Sequence, residues 1–385
     1  MKPEKTKLNF QNLNLLLICI LPVIFLFFGI KKQSELHDKL MIQGIAIDLD
    51  YENYENKNNN NNKNYKLTVQ AYDFKNPEDK NEPKVRVIES SGISISEALE
   101  NLKKITGLTP LYSQNKIIIF SEELAKNGII KIIDFFSRYY ENRPSVKLRI
   151  AQNNAGDFLK IIPENNNKII KASEIRDLVD EKSDTNILDF EKEVKTPISD
   201  ACLMLLEKNS QNLIKCESTA IFNYDKLIKI MDKNDSIAIQ ILKNSSKPGI
   251  YVFDYNKNLI SCKIETPKTK IKAKLNQENN LPEFDIFIKL NANLFESEQN
   301  FENIKSIEIN IEKELNNNLK LLCEKVINES TKEDCDLFKF GKILRNSNPK
   351  YFKSIEKDWK SKILPNIKYN IKIDSKISMI GMNDN

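Results

Sequence analysis

The chain has 385 residues, and its 59 lysine and arginine residues nearly balance 54 aspartate and glutamate residues, leaving a formal net charge of +5. This length predicts two or three domains, and the near-balance of charges argues against a nucleic-acid-binding protein. A single histidine and nine glycines argue against histidine-based catalysis, a histidine-rich metal site and a glycine-rich nucleotide loop. Composition therefore favours a binding or structural protein over an enzyme.

The N-terminal residues predict a membrane anchor. Residues 13–30 contain no charged side chain, and this run is long enough to cross a hydrocarbon core of about 30 Å. A cleaved signal peptide is the alternative, but the apolar run is long for one and no small-x-small cleavage site follows it. No cysteine directly follows the run, and Cys19 lies too early in it, so we expect no lipidation. Residues 1–33 are then a cytoplasmic tail and a transmembrane segment.

Residues 34–195 predict a mixed α/β domain. Strands are expected at residues 40–49, 65–74, 84–89, 116–120 and 146–151, and helices at residues 94–106, 121–125 and 129–139. Residues 51–64 include five consecutive asparagines and form a loop insertion, because nothing in them can pack. Residues 165–195 are charged and are expected to link or to wrap the surface.

Residues 196–385 predict a second domain. A helix is expected over residues 196–206, followed by strands at residues 218–222, 249–254, 259–264, 268–275 and 284–290 in a largely antiparallel arrangement. A long amphipathic helix over residues 304–328, short helices over 336–345 and 349–360 and an alternating strand over 366–379 complete it. Whether these residues form one domain or two subdomains that divide near residues 280–300 stays open.

The predicted fold class is α+β. A membrane anchor is followed by an extracytoplasmic mixed α/β domain and then by a C-terminal α+β region with an antiparallel sheet and a long helix.

Residues that could carry catalysis or bind a metal do not form a recognisable set. The six cysteines contain no C-x-x-C pair, so no zinc site is expected. Cys202 and Cys323 fall among apolar positions predicted as helical and are expected to be buried as small hydrophobes, while disulfides stay open outside the cytoplasm. His37 follows the apolar segment and is expected to be solvated. No nucleophile elbow, Walker loop, zincin or calcium-loop motif occurs, so we expect no catalytic residues and no cofactor.

Two groups of residues are candidate structural or partner-contact sites. Arg138, Glu141 and Arg143 lie together at a helix end, and the spacing of Arg138 and Glu141 allows an ion pair within the helix. Asp336 and Gly341 are followed by Trp359 among several aromatic residues. Packing of this group against the long helix is the simpler interpretation, and a partner contact is the alternative.

Three blocks of motifs run along the chain in a specific order. The first comprises Gly44-Ile-Ala-Ile-Asp48, Lys66-Leu-Thr-Val-Gln70, Ile95-Ser-Glu-Ala-Leu99, Leu111-Tyr-Ser-Gln-Asn-Lys116, Glu123-Leu-Ala-Lys-Asn-Gly128 and Asp134-Phe-Phe-Ser-Arg138. The second is Ser218-Thr-Ala-Ile-Phe222 with Asp225-Lys-Leu227, and the third is Asp336 to Gly341 with Pro349, Trp359, the last strand and Gly381. Together the blocks resemble the Ger(x)C family, the C subunits of bacterial spore germinant receptors.

The chain departs from the family pattern at a few positions. Gln114 stands where the family usually has histidine, and Ser218 and Lys229 replace glycines. The lipoprotein cysteine typical of the family is also absent. Residues 13–30 would then supply the tether, since a spanning helix holds more firmly than acyl chains.

The resemblance implies a non-enzymatic subunit of a nutrient germinant receptor, with its body on the outer face of the spore inner membrane. It would act with an integral-membrane A subunit and a transporter-like B subunit in a complex that responds to small nutrients such as amino acids. The alternative is a membrane-tethered extracytoplasmic solute-binding protein unrelated to germination.

Overall fold

The computed structural model describes residues 38–50, 64–74, 83–138, 143–163, 168–180, 185–245, 247–276, 281–297 and 304–379. The predicted anchor, the asparagine run, Cys19, His37, Glu141 and Gly381 lie outside these ranges. Within these ranges, no helix combines the length and the apolar character that a membrane span requires. The prediction of an anchor at residues 13–30 therefore stays a prediction.

A ten-stranded mixed sheet forms the first half of the body. In spatial order its strands are β10 (Lys226–Met231), β9 (Thr219–Asn223), β7 (Cys202–Lys208), β6 (Lys147–Ala151), β5 (Ile117–Ser121), β1 (Lys39–Leu49), β2 (Tyr65–Asp73) and β3 (Lys84–Gly92). The short strands β4 (Thr109–Leu111) and β8 (Ile214–Lys215) pair with β1 and β7. The sheet joins strands from both sides of residue 195, where the sequence predicts a domain division, and the division itself stays a prediction.

Helices cover both faces of this sheet. They are α1 (Ile95–Thr106), α2 (Glu122–Asn127), α3 (Ile130–Arg138), α4 (Ala172–Asp180) and α5 (Ile187–Val194). The α1 helix begins as its sequence predicts: the Ser94 hydroxyl accepts a hydrogen bond from the Glu97 N–H. The Glu97 carboxylate accepts one from the Ile93 N–H, one residue before the N-cap, in a variant of the capping box. Gly107 ends α1 at φ 64°, a conformation that favours glycine.

A four-stranded sheet forms the second half. Its order is β11 (Gly249–Tyr255), β12 (Asn258–Leu275), β13 (Pro282–Ser297) and β14 (Lys368–Met379). One face packs against α6 (Lys233–Leu242), α7 (Ile304–Lys332), α8 (Phe340–Ser347) and α9 (Pro349–Ile355). Ile198, Cys202, Ile221 and Met231 from the first half belong to the same hydrophobic core, so the core of the second sheet extends into the first half, whose other buried side chains form two further clusters.

The structure confirms the α+β fold class and corrects several predicted elements. The helix predicted over residues 196–206 is wrong, because residues 202–208 form β7. The run from Cys202 to Leu206 is buried throughout, as in a strand covered on both faces. The expected linker at 165–195 contains α4 and α5. In the second sheet, β14 pairs in parallel with β13, and the strands predicted at 259–264 and 268–275 form the single strand β12.

Candidate functional site at the junction of the two sheets

Two buried aspartates meet where the two halves of the body join. Asp200 lies just before β7, and Asp336 lies between α7 and α8. The Asp200 N–H donates to the Asp336 carbonyl (3.1 Å), and the Asp336 N–H donates to Asp200 Oδ2 (2.7 Å). Both residues are fully buried. These paired bonds fasten the segment after α7 to the segment that enters β7.

The Asp336 carboxylate fixes the start of α8 and the indole of Trp359. Its Oδ1 accepts a hydrogen bond from the Phe340 N–H (2.7 Å), and its Oδ2 accepts bonds from the Gly341 N–H (2.7 Å) and from Trp359 Nε1 (3.0 Å). Burial nevertheless raises the pKa of Asp336 to about 7, because removal from water penalises the charged form more than the three donors favour it.

Gly341 is required by the close approach of Trp359. A Cβ at this position would lie 2.6 Å from Trp359 Nε1, 2.8 Å from Trp359 Cε2 and 3.0 Å from Ile198 Cβ. Carbon atoms pack at about 3.5–4.0 Å, so no larger residue fits without moving the indole. The sequence prediction that Asp336, Gly341 and Trp359 act together is consistent with this geometry.

The Asp200 carboxylate joins two further segments. Its Oδ1 accepts hydrogen bonds from the Tyr224 N–H (2.9 Å) and from Lys360 Nζ (2.6 Å). Lys360 Nζ also donates to Asn223 Oδ1 at 3.3 Å. Asn223 ends β9 and Lys360 follows Trp359, so one carboxylate connects the β9–β10 turn, the entry to β7 and the C-terminal helices.

We call Asp200, Asp336, Gly341, Trp359 and Lys360 the junction site. All four carboxylate oxygens of the two aspartates accept a bond from an N–H group of the protein. The hydrogen-bond donors to both carboxylates therefore belong to the protein itself, and no carboxylate oxygen is left without a donor. Across the described ranges, no group of three or more histidine, cysteine, aspartate or glutamate residues could hold a metal ion. The arrangement suits a structural connection between the two halves.

The second predicted group is only partly described. Arg138 pairs with Asp134 one turn earlier on α3, at 2.8 Å, and both side chains reach solvent. Arg143 is exposed, and Glu141 lies outside the described residues, so the predicted pair of Arg138 and Glu141 stays a prediction. The Asp225 carboxylate accepts a hydrogen bond from the Ile130 N–H at 3.2 Å. A motif of the second block thus caps α3, whose sequence belongs to the first block.

A second charged cluster lies near the junction. Glu193, at the end of α5, contacts Lys339 Nζ at 2.8 Å and Lys243 Nζ at 3.7 Å. Burial opposes ionisation of Glu193, but the two lysines outweigh it and hold its pKa below the usual value. A cleft of about 310 Å³ lies beside them, with Leu242, Phe338 and Lys342 in its lining. Its size and its basic and apolar walls would suit a small anionic solute.

The cysteines of the described ranges are buried free thiols. They are Cys202, Cys216, Cys262, Cys323 and Cys335. Burial raises the pKa of Cys262 and of Cys323 to about 12, which leaves both thiols protonated and poorly nucleophilic at neutral pH. The burial of Cys202 and Cys323 agrees with their predicted role as small hydrophobes.

Sequence reasoning missed Asp200, Lys360 and Glu193. Asp200 lies in the segment predicted as a helix over residues 196–206, although the continuous apolar run after it is typical of a buried strand. Lys360 directly follows Trp359, but its partner is 160 positions away. Glu193 lay in a segment interpreted as a linker. No local pattern marks these residues, because their partners come from distant parts of the chain.

Comparisons with known proteins give one consistent result. Residues 32–208 match the family described as "Spore germination protein N-terminal domain", and residues 217–381 match "Spore germination B3/ GerAC like, C-terminal". The chain is 20% identical over 312 residues to spore germination protein GerQC of Bacillus cereus, covering 79% of this chain and 85% of the relative. It is 22% identical over 318 residues to spore germination protein B3 of Bacillus subtilis, covering 77% and 82%.

A solved structure shares the fold. The crystal structure of the GerBC protein superposes with a TM-score of 0.57 at 21% identity, covering 88% of this chain and 97% of the other. The similarity therefore extends over both sheets.

Proposed function

The chain belongs to the Ger(x)C family of spore germination proteins, and from this we propose that it is a non-enzymatic C subunit of a nutrient germinant receptor. The two family matches, which lie side by side from residue 32 to residue 381, carry this proposal. We further propose that it acts with an integral-membrane A-type subunit and a transporter-like B-type subunit at the spore inner membrane, tethered through residues 13–30.

The junction site supports a scaffold role. It fastens the two halves of the body through fully buried carboxylates whose oxygens all accept hydrogen bonds from within the protein. Such a connection holds one half of the body in a fixed position relative to the other, and it needs no catalytic group to do so. The domain arrangement that we propose is an anchor over residues 1–33, an N-terminal domain over 34–195 and a C-terminal domain over 196–385.

A second candidate function is a tethered solute-binding protein outside any germination system. The cleft of about 310 Å³ beside Lys243 and Lys339 favours it. The two functions differ in a measurable way. A free-standing binder should bind a solute by itself, whereas a receptor subunit should co-purify with two membrane partners.

Deleting the gene and scoring the spores with individual nutrients tests the leading proposal. We expect germination to be lost for at least one nutrient and restored by the wild-type gene. A non-nutrient trigger is the control, since the later steps should stay intact. Normal germination with every nutrient, in a strain without paralogues, would contradict the proposal. Mass spectrometry of the mature N-terminus checks the tether, and a diacylglyceryl-cysteine there would contradict it.

A further inference from the structure

The outer face of the second sheet is a continuous lysine-rich surface. Alternate residues of β12, β13 and β14 point away from the core, and the strand register aligns them in rows. Lys270, Phe287 and Lys372 form one such row, and Lys268, Lys289 and Asp374 form the next. We call this surface the lysine face; its charged residues are Glu265, Lys268, Lys270, Lys272, Lys274, Glu283, Asp285, Lys289, Lys368, Lys372, Asp374 and Lys376.

The charge of the lysine face is not a reflection of a lysine-rich chain. Eight lysines and four carboxylates give the face a net charge of +4, against +5 for the whole chain. The remaining residues therefore sum to only +1. Positive charge is concentrated on one surface, roughly 20 Å along β12 and roughly 10 Å across three strands.

Most of these lysines have no acidic partner. Lys274 pairs with Asp285 at 3.0 Å and Lys289 pairs with Asp374 at 3.7 Å. Within the described part of the chain the other six have no carboxylate oxygen within 4.0 Å: Lys268, Lys270, Lys272, Lys368, Lys372 and Lys376. All six are exposed. Like charges held this close repel one another. Binding of a polyanionic partner would therefore relieve the repulsion between the lysines.

We infer that the lysine face docks on the anionic surface of a lipid bilayer and so orients the tethered body. The inference rests on the membrane tether of the proposed function. Only residues 31–38 separate the predicted anchor from β1, a reach of at most about 28 Å. The tether keeps the body near the bilayer, so weak contacts act at high effective concentration. Each lysine close to an anionic membrane strengthens binding by about fivefold.

The chemistry of the face favours lipid over nucleic acid. Single-stranded nucleic acids bind sheets through several stacked aromatic rings, whereas Phe287 is the one aromatic side chain among the outward residues of the aligned rows. Its ring lies 5.9 Å from Lys272 Nζ. Every cation of the face is a lysine, a strongly hydrated point charge that does not require the bidentate geometry of arginine. A row-by-row array of such charges fits a fluid layer of anionic headgroups, whose positions can adjust to it.

Lysine acylation of the full-length protein in vesicles tests the inference. The protein is incorporated into vesicles of phosphatidylcholine alone or of phosphatidylcholine mixed with phosphatidylglycerol, treated with an N-hydroxysuccinimide ester and analysed by mass spectrometry. We expect the six unpaired lysines to react about fivefold or more slowly in the anionic vesicles. High salt should reverse this protection. Lys103 and Lys131, which are exposed on α1 and α3, are the internal controls and should change equally little in both vesicles.

Two variants with the same change in charge sharpen the test. K270Q/K272Q/K372Q removes three unpaired lysines of the face, and K103Q/K104Q/K131Q removes three exposed lysines of the first half. The first should weaken the contact by roughly 100-fold and abolish the protection of Lys268 and Lys376. The second should leave that protection intact.

The outcomes separate this inference from the proposed tether. If the protein does not co-float with neutral vesicles in a density gradient, the tether is contradicted. The lysine face is then tested by adding anionic vesicles in excess and measuring whether they protect its lysines from acylation. A chain that floats but shows equal lysine reactivity in both vesicles overturns the docking inference. Protection by an oligonucleotide but not by anionic vesicles also overturns it.

Discussion

The substitution Gly341→Ala tests whether the junction site holds the C-terminal helices in place. The added methyl group would lie 2.6 Å from Trp359 Nε1 and 2.8 Å from Trp359 Cε2. The indole has to move by about 1 Å to restore a normal contact, and this movement lengthens the 3.0 Å bond from Nε1 to Asp336.

The cost follows from three contributions. Overpacking of a buried contact costs about 1–3 kcal/mol. Loss of a hydrogen bond to a buried carboxylate costs about 1.5–3 kcal/mol. Alanine regains about 1 kcal/mol of helix propensity over glycine within α8. We therefore expect the free energy of unfolding to fall by about 3 kcal/mol, within a range of about 1.5–5 kcal/mol.

Urea unfolding of the detergent-solubilised full chain measures this change. Trp359 is the single tryptophan of the chain, so its fluorescence reports the junction site directly, and circular dichroism reports the whole fold. The control is a double-mutant cycle with Trp359→Phe. In that background Gly341→Ala should cost about 1 kcal/mol or less, because the indole edge that it strikes has gone. An equal cost in both backgrounds, or a loss below about 0.5 kcal/mol in the wild type, would refute the reasoning.

Two further predictions concern the charges of the junction site. The pKa of Asp336 is raised to about 7 from about 3.9 in the unfolded chain, so the folded state binds this proton more tightly. Its stabilising contribution is complete below pH about 4 and is lost as the pH rises through 7. Asp336→Asn should remove this part of the slope between pH 5 and pH 8 in urea titrations, and an unchanged slope would contradict the assignment. Lys360→Met should cost about 2 kcal/mol, because it leaves the fully buried Asp200 carboxylate without its cation; Lys362→Met, at an exposed pair with Asp358, should change the unfolding free energy by less than about 0.5 kcal/mol.

The strands that sequence predicted well are those with one face in a core and one in solvent. In β14, Ile371 and Ile377 are buried while Lys372 and Lys376 are exposed, so the alternation is visible in the sequence. β7 is buried on both faces, and its apolar run has no period that separates a strand from a helix. The assignment of residues 196–206 as a helix failed for this reason.

The candidate site, too, could be predicted from the sequence only in part. Asp336, Gly341 and Trp359 lie within 24 residues of one another, so their grouping was visible as a local motif. Asp200 and Lys360 complete the site through a contact between positions 160 residues apart. Such a pairing depends on how the two sheets meet, and neither the composition nor the hydrophobic periodicity of the sequence predicts it.

Several polar residues of the motif blocks stabilise the fold by accepting hydrogen bonds from backbone N–H groups. Asp48 accepts hydrogen bonds from the Ala155 and Gly156 N–H groups, and Gln70 accepts one from the Ala172 N–H. Asp225 and Asp336 cap helices in the same manner. Each satisfies backbone groups that have no partner in their own helix or strand, and this requirement belongs to the fold. The lysines that β12 contributes to the lysine face lie outside the motif blocks and satisfy no such backbone groups.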